Sequence, residues 1–235
     1  MLFRMIFFSL LLAMCGGCRK ETATDDAALA KFAGEVQLIR DSLIKEKNNY
    51  RYYKVVDRVN EAMAAISNVT VRSSAARSYA EMLAEVDLTA LPYRQRVTSA
   101  IMFGGHAYFA FQVMLKNGVN CKDAMELFFA CLAKYQDACT SIPTAAREKD
   151  ENMDSFILRK DCARVLMDDY QRRMSILKRF WLPHLSDYVP AEYHEEFKRR
   201  ADPLFKYPAK QQSQLQKPVS ADARDARPYS NVRSW

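Results

Sequence analysis

The strongest constraint on the fold is a run of sixteen residues without a formal charge, Ala100 to Leu115 (AIMFGGHAYFAFQVML). A helix that is apolar all round lies at the centre of a globular fold or in a membrane. Crossing a bilayer takes roughly 20 apolar residues. This run is shorter and is interrupted by Gly104-Gly105, His106 and Gln112. It therefore predicts a buried central helix, about Pro92 to Lys116, with the Gly pair allowing another backbone close or permitting a kink.

The flanking segments carry stripes at helical spacing. The first is Ala27 to about Lys47, with Leu29, Phe32, Val36, Ile39 and Leu43 on one face. Helices from about Tyr50 to Ile66 and from about Val71 to Val86 precede the central one. Asn117-Gly118 ends it, and a fifth helix, about Cys121 to Ser141, starts near Asn120 or Asp123. A stretch free of Gly and Pro from Ala145 to Leu182 reads as a long sixth helix, its charged start (Arg147 to Asp154) exposed. A short helix follows Pro190. With 6 Gly and 8 Pro in 235 residues, and no two-residue alternation, a turn-rich β fold is excluded. The expected class is all-α, an antiparallel multi-helix bundle of about six helices over 27–206. The alternative is a short α-solenoid: Ala124, Phe128 and Leu132 after Gly118 look slightly like one tetratricopeptide-type repeat.

The first eighteen residues, MLFRMIFFSLLLAMCGGC, combine Arg4, an uncharged apolar run from Met5 to Met14, and Gly16-Gly17 before Cys18. That is the pattern of a secretory signal peptide. Its end resembles the lipobox of bacterial lipoproteins, with Cys15 where leucine usually stands three residues before the cut. The resemblance implies removal of residues 1–17, lipidation of Cys18 by a diacylglycerol and a further acyl chain such as palmitate, and a tether over 18–26. More than one chain makes such anchoring stable, each buried CH₂ contributing about 0.8 kcal/mol. Arg19, not Asp, follows the cysteine. In that class this favours the outer membrane, facing the periplasm, over the inner one.

Charge is uneven. The chain carries a formal +7, and from Gln171 onward there are 13 Lys or Arg against 7 Asp or Glu. Arg172, Arg173, Arg199 and Arg200 form a candidate basic patch. Residues 207–235, rich in Gln, Ser, Pro and charge, read as a disordered basic tail. The expected partners are the membrane, through the lipid, and a protein or anionic envelope polymer. No nucleic-acid recognition motif occurs.

Four cysteines follow the anchor, and the exported side of a membrane permits pairing. Cys121, Cys131 and Cys139 share one helix, and a disulfide needs its Cα atoms within about 7 Å. Cys131 and Cys139 are already about 12 Å apart along the axis. Any bridge must reach Cys162. A hairpin folded at Ile142 places Cys121 opposite Cys162, so a Cys121–Cys162 disulfide is expected.

Catalytic signatures are missing. His194-Glu195-Glu196-Phe197-Lys198 has Lys198 where a zincin needs its second His, and no P-loop, dinucleotide fingerprint or nucleophile elbow occurs. Neither a metal nor a cofactor is expected. Asp168-Asp169 reads as a solvated pair. The sequence points to a membrane-anchored, non-catalytic helical interaction or structural module of the cell envelope. The alternative is an enzyme or small-ligand binder with a pocket formed by His106, Tyr108 and Gln112.

Overall fold

The computed structural model describes residues 21–45, 52–144, 147 and 149–206. These form seven α-helices and no strand among the described residues. In chain order they are α1 (Glu21–Ile44), α2 (Tyr52–Ala64), α3 (Val69–Glu85), α4 (Tyr93–Lys116), α5 (Cys121–Thr140), α6 (Met153–Ile176) and α7 (His194–Phe205). A π-turn, Leu177–Trp181, prolongs α6, and two single-turn 3-10 segments, Leu185–Asp187 and Ala191–Tyr193, lead into α7.

Helix α4 is the centre, as its lack of charge requires. It packs against α1, α3, α5 and α6, and buries Phe103, Phe109 and Phe111 on different sides of its axis. Phe111 and Phe128 stack at 4.5 Å. Phe197 of α7 closes on both at 6.0 Å, and Trp181 lies 6.2 Å from Phe128. Each such ring contributes about 1.5–3 kcal/mol on burial, and this cluster holds α7 and the π-turn onto α4 and α5.

Three helices, α3, α5 and α6, start at asparagines whose side chains satisfy first-turn N–H groups. Asn68 Oδ1 accepts from Thr70 N at 2.9 Å and Val71 N at 3.2 Å. Asn120 caps α5 through Lys122 N, 2.9 Å, and Asn152 caps α6 through Ser155 N, 2.8 Å. Gly118, at φ +78°, supplies the left-handed residue after α4, and Val119 N closes that end on the carbonyl of Met114, 3.1 Å.

Two expectations about boundaries fail. Helix α1 begins at Glu21, not Ala27, so residues 21–26 of the expected tether are helical. The Asp25 carboxylate accepts from Ser67 N (2.6 Å) and Asn68 N (3.0 Å). The Ser67 N–H, with that of Asn68, holds the Asp25 carboxyl below the usual carboxylate range against the effect of burial. Helix α6 starts at Met153, not Ala145. Arg159, 0% exposed, donates to both carboxylate oxygens of Glu151, at 2.8 and 2.6 Å, and to the carbonyl of Pro143. This staple folds the chain between α5 and α6 back onto α6.

The connections define two ends. Asp25 binds the turn before α3, and Arg77 of α3 reaches Asp123 at the start of α5, 3.0 Å. The starts of α1, α3 and α5 therefore share one end. Gln95 of α4 donates to the carbonyl of Ile44, joining the start of α4 to the end of α1 at the other.

Candidate functional site

His106 and Tyr79 meet in the core. Their helices, α4 and α3, bring the Tyr79 hydroxyl to 2.6 Å from His106 Nδ1. The histidine is 0% exposed. Burial, then the positive charge of Arg173, pushes its pKa down to about 3, so the ring is neutral at physiological pH. A neutral imidazole sealed beside a phenol is a hydrogen-bonded core group, with no exposed surface to present to a ligand. Tyr108 lies two residues on, turned to another side of α4, and its hydroxyl donates to the carbonyl of Arg173 at 3.5 Å. Burial pushes that phenol's pKa up. Gln112 is half-buried. The three expected pocket residues thus do not converge. A shallow groove of about 550 Å³ lies elsewhere, lined by Lys178, Leu182, Glu195, Lys198, Arg199, Asp202 and Phe205.

The dominant polar constellation was hidden in the sequence. Asp169, far from being solvated, is 5% exposed. It accepts from the Tyr135 hydroxyl at 2.6 Å, from Arg173 Nε at 2.8 Å, and from Arg172. Arg173 Nη2 donates to the carbonyl of Ile101, 2.6 Å, and the guanidinium lies 5.7 Å from the Tyr135 ring centroid. Burial opposes charge on Asp169, but Arg173 and Tyr135 outweigh it and hold the carboxyl below its usual range. Burial likewise opposes charge on Arg173, and Tyr135 and Asp169 overcome it, raising its pKa. Gly104 makes room for this guanidinium: a Cβ there would fall 2.7 Å from Arg173 Nε and 3.0 Å from its Cδ and Cζ. The glycine admits a side chain rather than a second backbone, and α4 continues through it to Lys116. Spacing could have flagged Asp169 and Arg173 as an i,i+4 pair. Nothing local marks Tyr135, on another helix, as their partner.

The four arginines of the expected basic patch separate. Arg173 is built into the core network. Arg200 pairs with Glu196 at 3.2 Å. Arg172 projects outward, 67% exposed, while holding Asp169. Arg199 is exposed beside the groove, with Lys178 and Lys198 but also Glu195 and Asp202.

The expected Cys121–Cys162 bridge is overturned: Cys121, Cys131, Cys139 and Cys162 are free thiols. The cause is the late start of α6. Tyr135 sits against Asp169 and Pro143 against Arg159. In that register Cys162 faces the end of α5, near Arg94 and Arg96 of α4, while Cys121 lies near Glu192 and Glu196. The shift from the assumed pairing is about 20 residues, about 30 Å at 1.5 Å per residue. Burial pushes the thiols of Cys131 and Cys139 up to about 12. They are protonated at neutral pH and weak nucleophiles.

No group of three or more His, Cys, Asp or Glu side chains is arranged to hold a metal among the described residues. Nor is any described helix long and apolar enough to cross a membrane. Cys18, the expected lipidation site, and the tail 207–235 lie outside the described residues. No family model, curated protein or solved structure matches the chain.

Proposed function

We propose that this chain is a membrane-anchored lipoprotein of the cell envelope whose helical body is a non-catalytic interaction or structural module. Two lines support the reading. The lipobox-like sequence ending at Cys18 supports the anchor. Closure of the core supports the non-catalytic body and is the observation that carries it: His106, Cys131 and Cys139 are each at most 1% exposed. A general base or nucleophile must reach its substrate within hydrogen-bond distance, and these groups offer no such approach. The pocket alternative required an opening at His106, so the sealed ring favours the interaction module. Its partner is a protein or an anionic polymer of the envelope, met by the exposed basic side chains of the C-terminal third.

The anchor is tested by mass. Chain purified from its native cell should begin at Cys18 and carry the added mass of a diacylglycerol and an acyl chain. Cys18→Ser should abolish that mass and release of residues 1–17. A native chain whose Cys18 is unmodified overturns the anchor. Crosslinking in the same cells, followed by mass spectrometry, identifies what the body touches.

A further inference from the structure

The C-terminal end of α6 brings basic side chains together with exposed apolar ones. From Gln171 to Ser186 the sequence holds Arg172, Arg173, Lys178 and Arg179 and no Asp or Glu. Asp169 engages the first two. The Lys178 ammonium lies 5.7 Å from the Phe205 ring centroid. Among the described residues, neither Lys178 nor Arg179 has a carboxylate within salt-bridge distance. Between these cations and Trp181 stands Phe180, 64% exposed, the highest value among the large apolar side chains described. Ile176, one turn earlier, and Tyr188, stacked on Trp181 at 5.1 Å, are also exposed.

The π-turn produces this arrangement. Leu182 N reaches back five residues to the carbonyl of Leu177, 3.0 Å. Trp181 turns inward onto Tyr108, 5.1 Å away, and Phe180 is left pointing out. Such wide turns recur at functional positions in helices. A single exposed phenylalanine is commonplace on soluble proteins. This one is set apart by the two cations next to it in the sequence, neither with a carboxylate partner among the described residues, and by its place in the bundle. The acidic residues that share the groove with Lys178 are already engaged: Glu195 with Lys198 at 2.8 Å and Asp202 with Lys206 at 2.6 Å. Helix α6 runs toward the end at which α1, α3 and α5 begin, and Glu21, where α1 starts, is three residues beyond Cys18.

We infer that the tip from Ile176 to Phe180 docks on an anionic phospholipid surface, with Phe180 among the acyl chains and Lys178 and Arg179 at the level of the phosphates. Aromatic rings and long cationic side chains both suit that boundary, each having an apolar body and a partner in one layer. Anionic headgroups supply the charge that Lys178 and Arg179 lack. The inference rests on the anchored reading for the location of the bilayer: a lipid on Cys18 would hold the half of the bundle containing this tip near the membrane.

The test uses the mature chain, residue 18 onward, carrying Cys18→Ser so that no lipid contributes. It is sedimented with vesicles of phosphatidylcholine alone, and of equal parts phosphatidylcholine and phosphatidylglycerol, at low ionic strength. Binding to the mixed vesicles and not to phosphatidylcholine is expected, weakening as salt is added. Phe180→Ala should lower the partition coefficient about tenfold. Lys178→Gln and Arg179→Gln should each lower it about fivefold. All three side chains are exposed, so the variants should keep the parent's circular dichroism and Tm. Absence of binding to the mixed vesicles, equal binding to both vesicle types, or a Phe180→Ala variant that binds as the parent does would each overturn the inference. None of these results bears on the mass of the native Cys18, so this failure and failure of the anchor are separable.

Discussion

Two glycine-to-alanine substitutions in helices of this bundle should move stability in opposite directions. Gly34 lies in α1 with no atom within 4 Å of where its Cβ would stand. Gly34→Ala should therefore gain helix propensity alone, about 1 kcal/mol. Gly104→Ala gains the same propensity and meets Arg173, whose Nε lies 2.7 Å from the new carbon. Arg173 has little freedom to withdraw, being tied to Asp169 at 2.8 Å and to the carbonyl of Ile101 at 2.6 Å. Moving it separates a largely buried ion pair, at a cost of about 3–5 kcal/mol. Set against the propensity gain, the net loss is about 2–4 kcal/mol. Thermal unfolding followed by circular dichroism reads both. For a domain of this size about 1 kcal/mol corresponds to roughly 2–4 °C. Gly34→Ala should raise Tm by a few degrees, and Gly104→Ala should lower it by roughly 5–15 °C. If both variants gain stability equally, the guanidinium is not pinned over Gly104, and the account of the core network fails.

The same network predicts an acid limb. The Asp169 carboxyl is held below its unfolded value, so its contribution is complete above the ordinary carboxylate range and is lost as pH falls through the lower folded value. Urea titrations should show this part of the fall below about pH 4, on top of any decline that begins at higher pH, and Asp169→Asn should be less stable at neutral pH with a flatter acid limb. His106, lowered to about 3, works in the same sense: the unfolded ring takes up a proton from about pH 6.5 downward while the folded one does not. Its imidazole carbon shift should stay at the neutral value at pH 5, and a midpoint near 6.5 would contradict the burial described. Alkylation without reductant should find four free thiols among Cys121, Cys131, Cys139 and Cys162, half-buried Cys121 reacting first. A Cys121–Cys162 crosslink would refute the α5–α6 register. Asn152→Ala, removing the α6 cap, should cost about 1 kcal/mol in chemical denaturation.

Much of the fold was readable because the signals are local. The uncharged run marked the central helix, Asn117-Gly118 its end, and Asn120 the start of α5. The start of α6 was missed for a physical reason: Arg147 to Asp154 contains neither Gly nor Pro, and nothing nearby says that Arg159 will be buried against Glu151 and Pro143. The misplaced disulfide follows from that error, since register propagates along the whole hairpin. Asp169 was misjudged because its second partner, Tyr135, comes from 34 residues away. The exposed Phe180 was missed because a five-residue hydrogen-bond span has no signature in apolar periodicity.

The clasp of Arg159 on Glu151 and Pro143 has a consequence for the integrity of the polypeptide. Arg147 and Lys149 stand exposed between Pro143 and Glu151, offering trypsin a place to cut. The two fragments would each keep complete helices and remain joined by the faces of α5 and α6, along with the guanidinium's grip on the far side of the break. A cleaved molecule should elute in gel filtration as the intact one does and come apart only in denaturant, so the covalent continuity of this stretch is dispensable once folding is done.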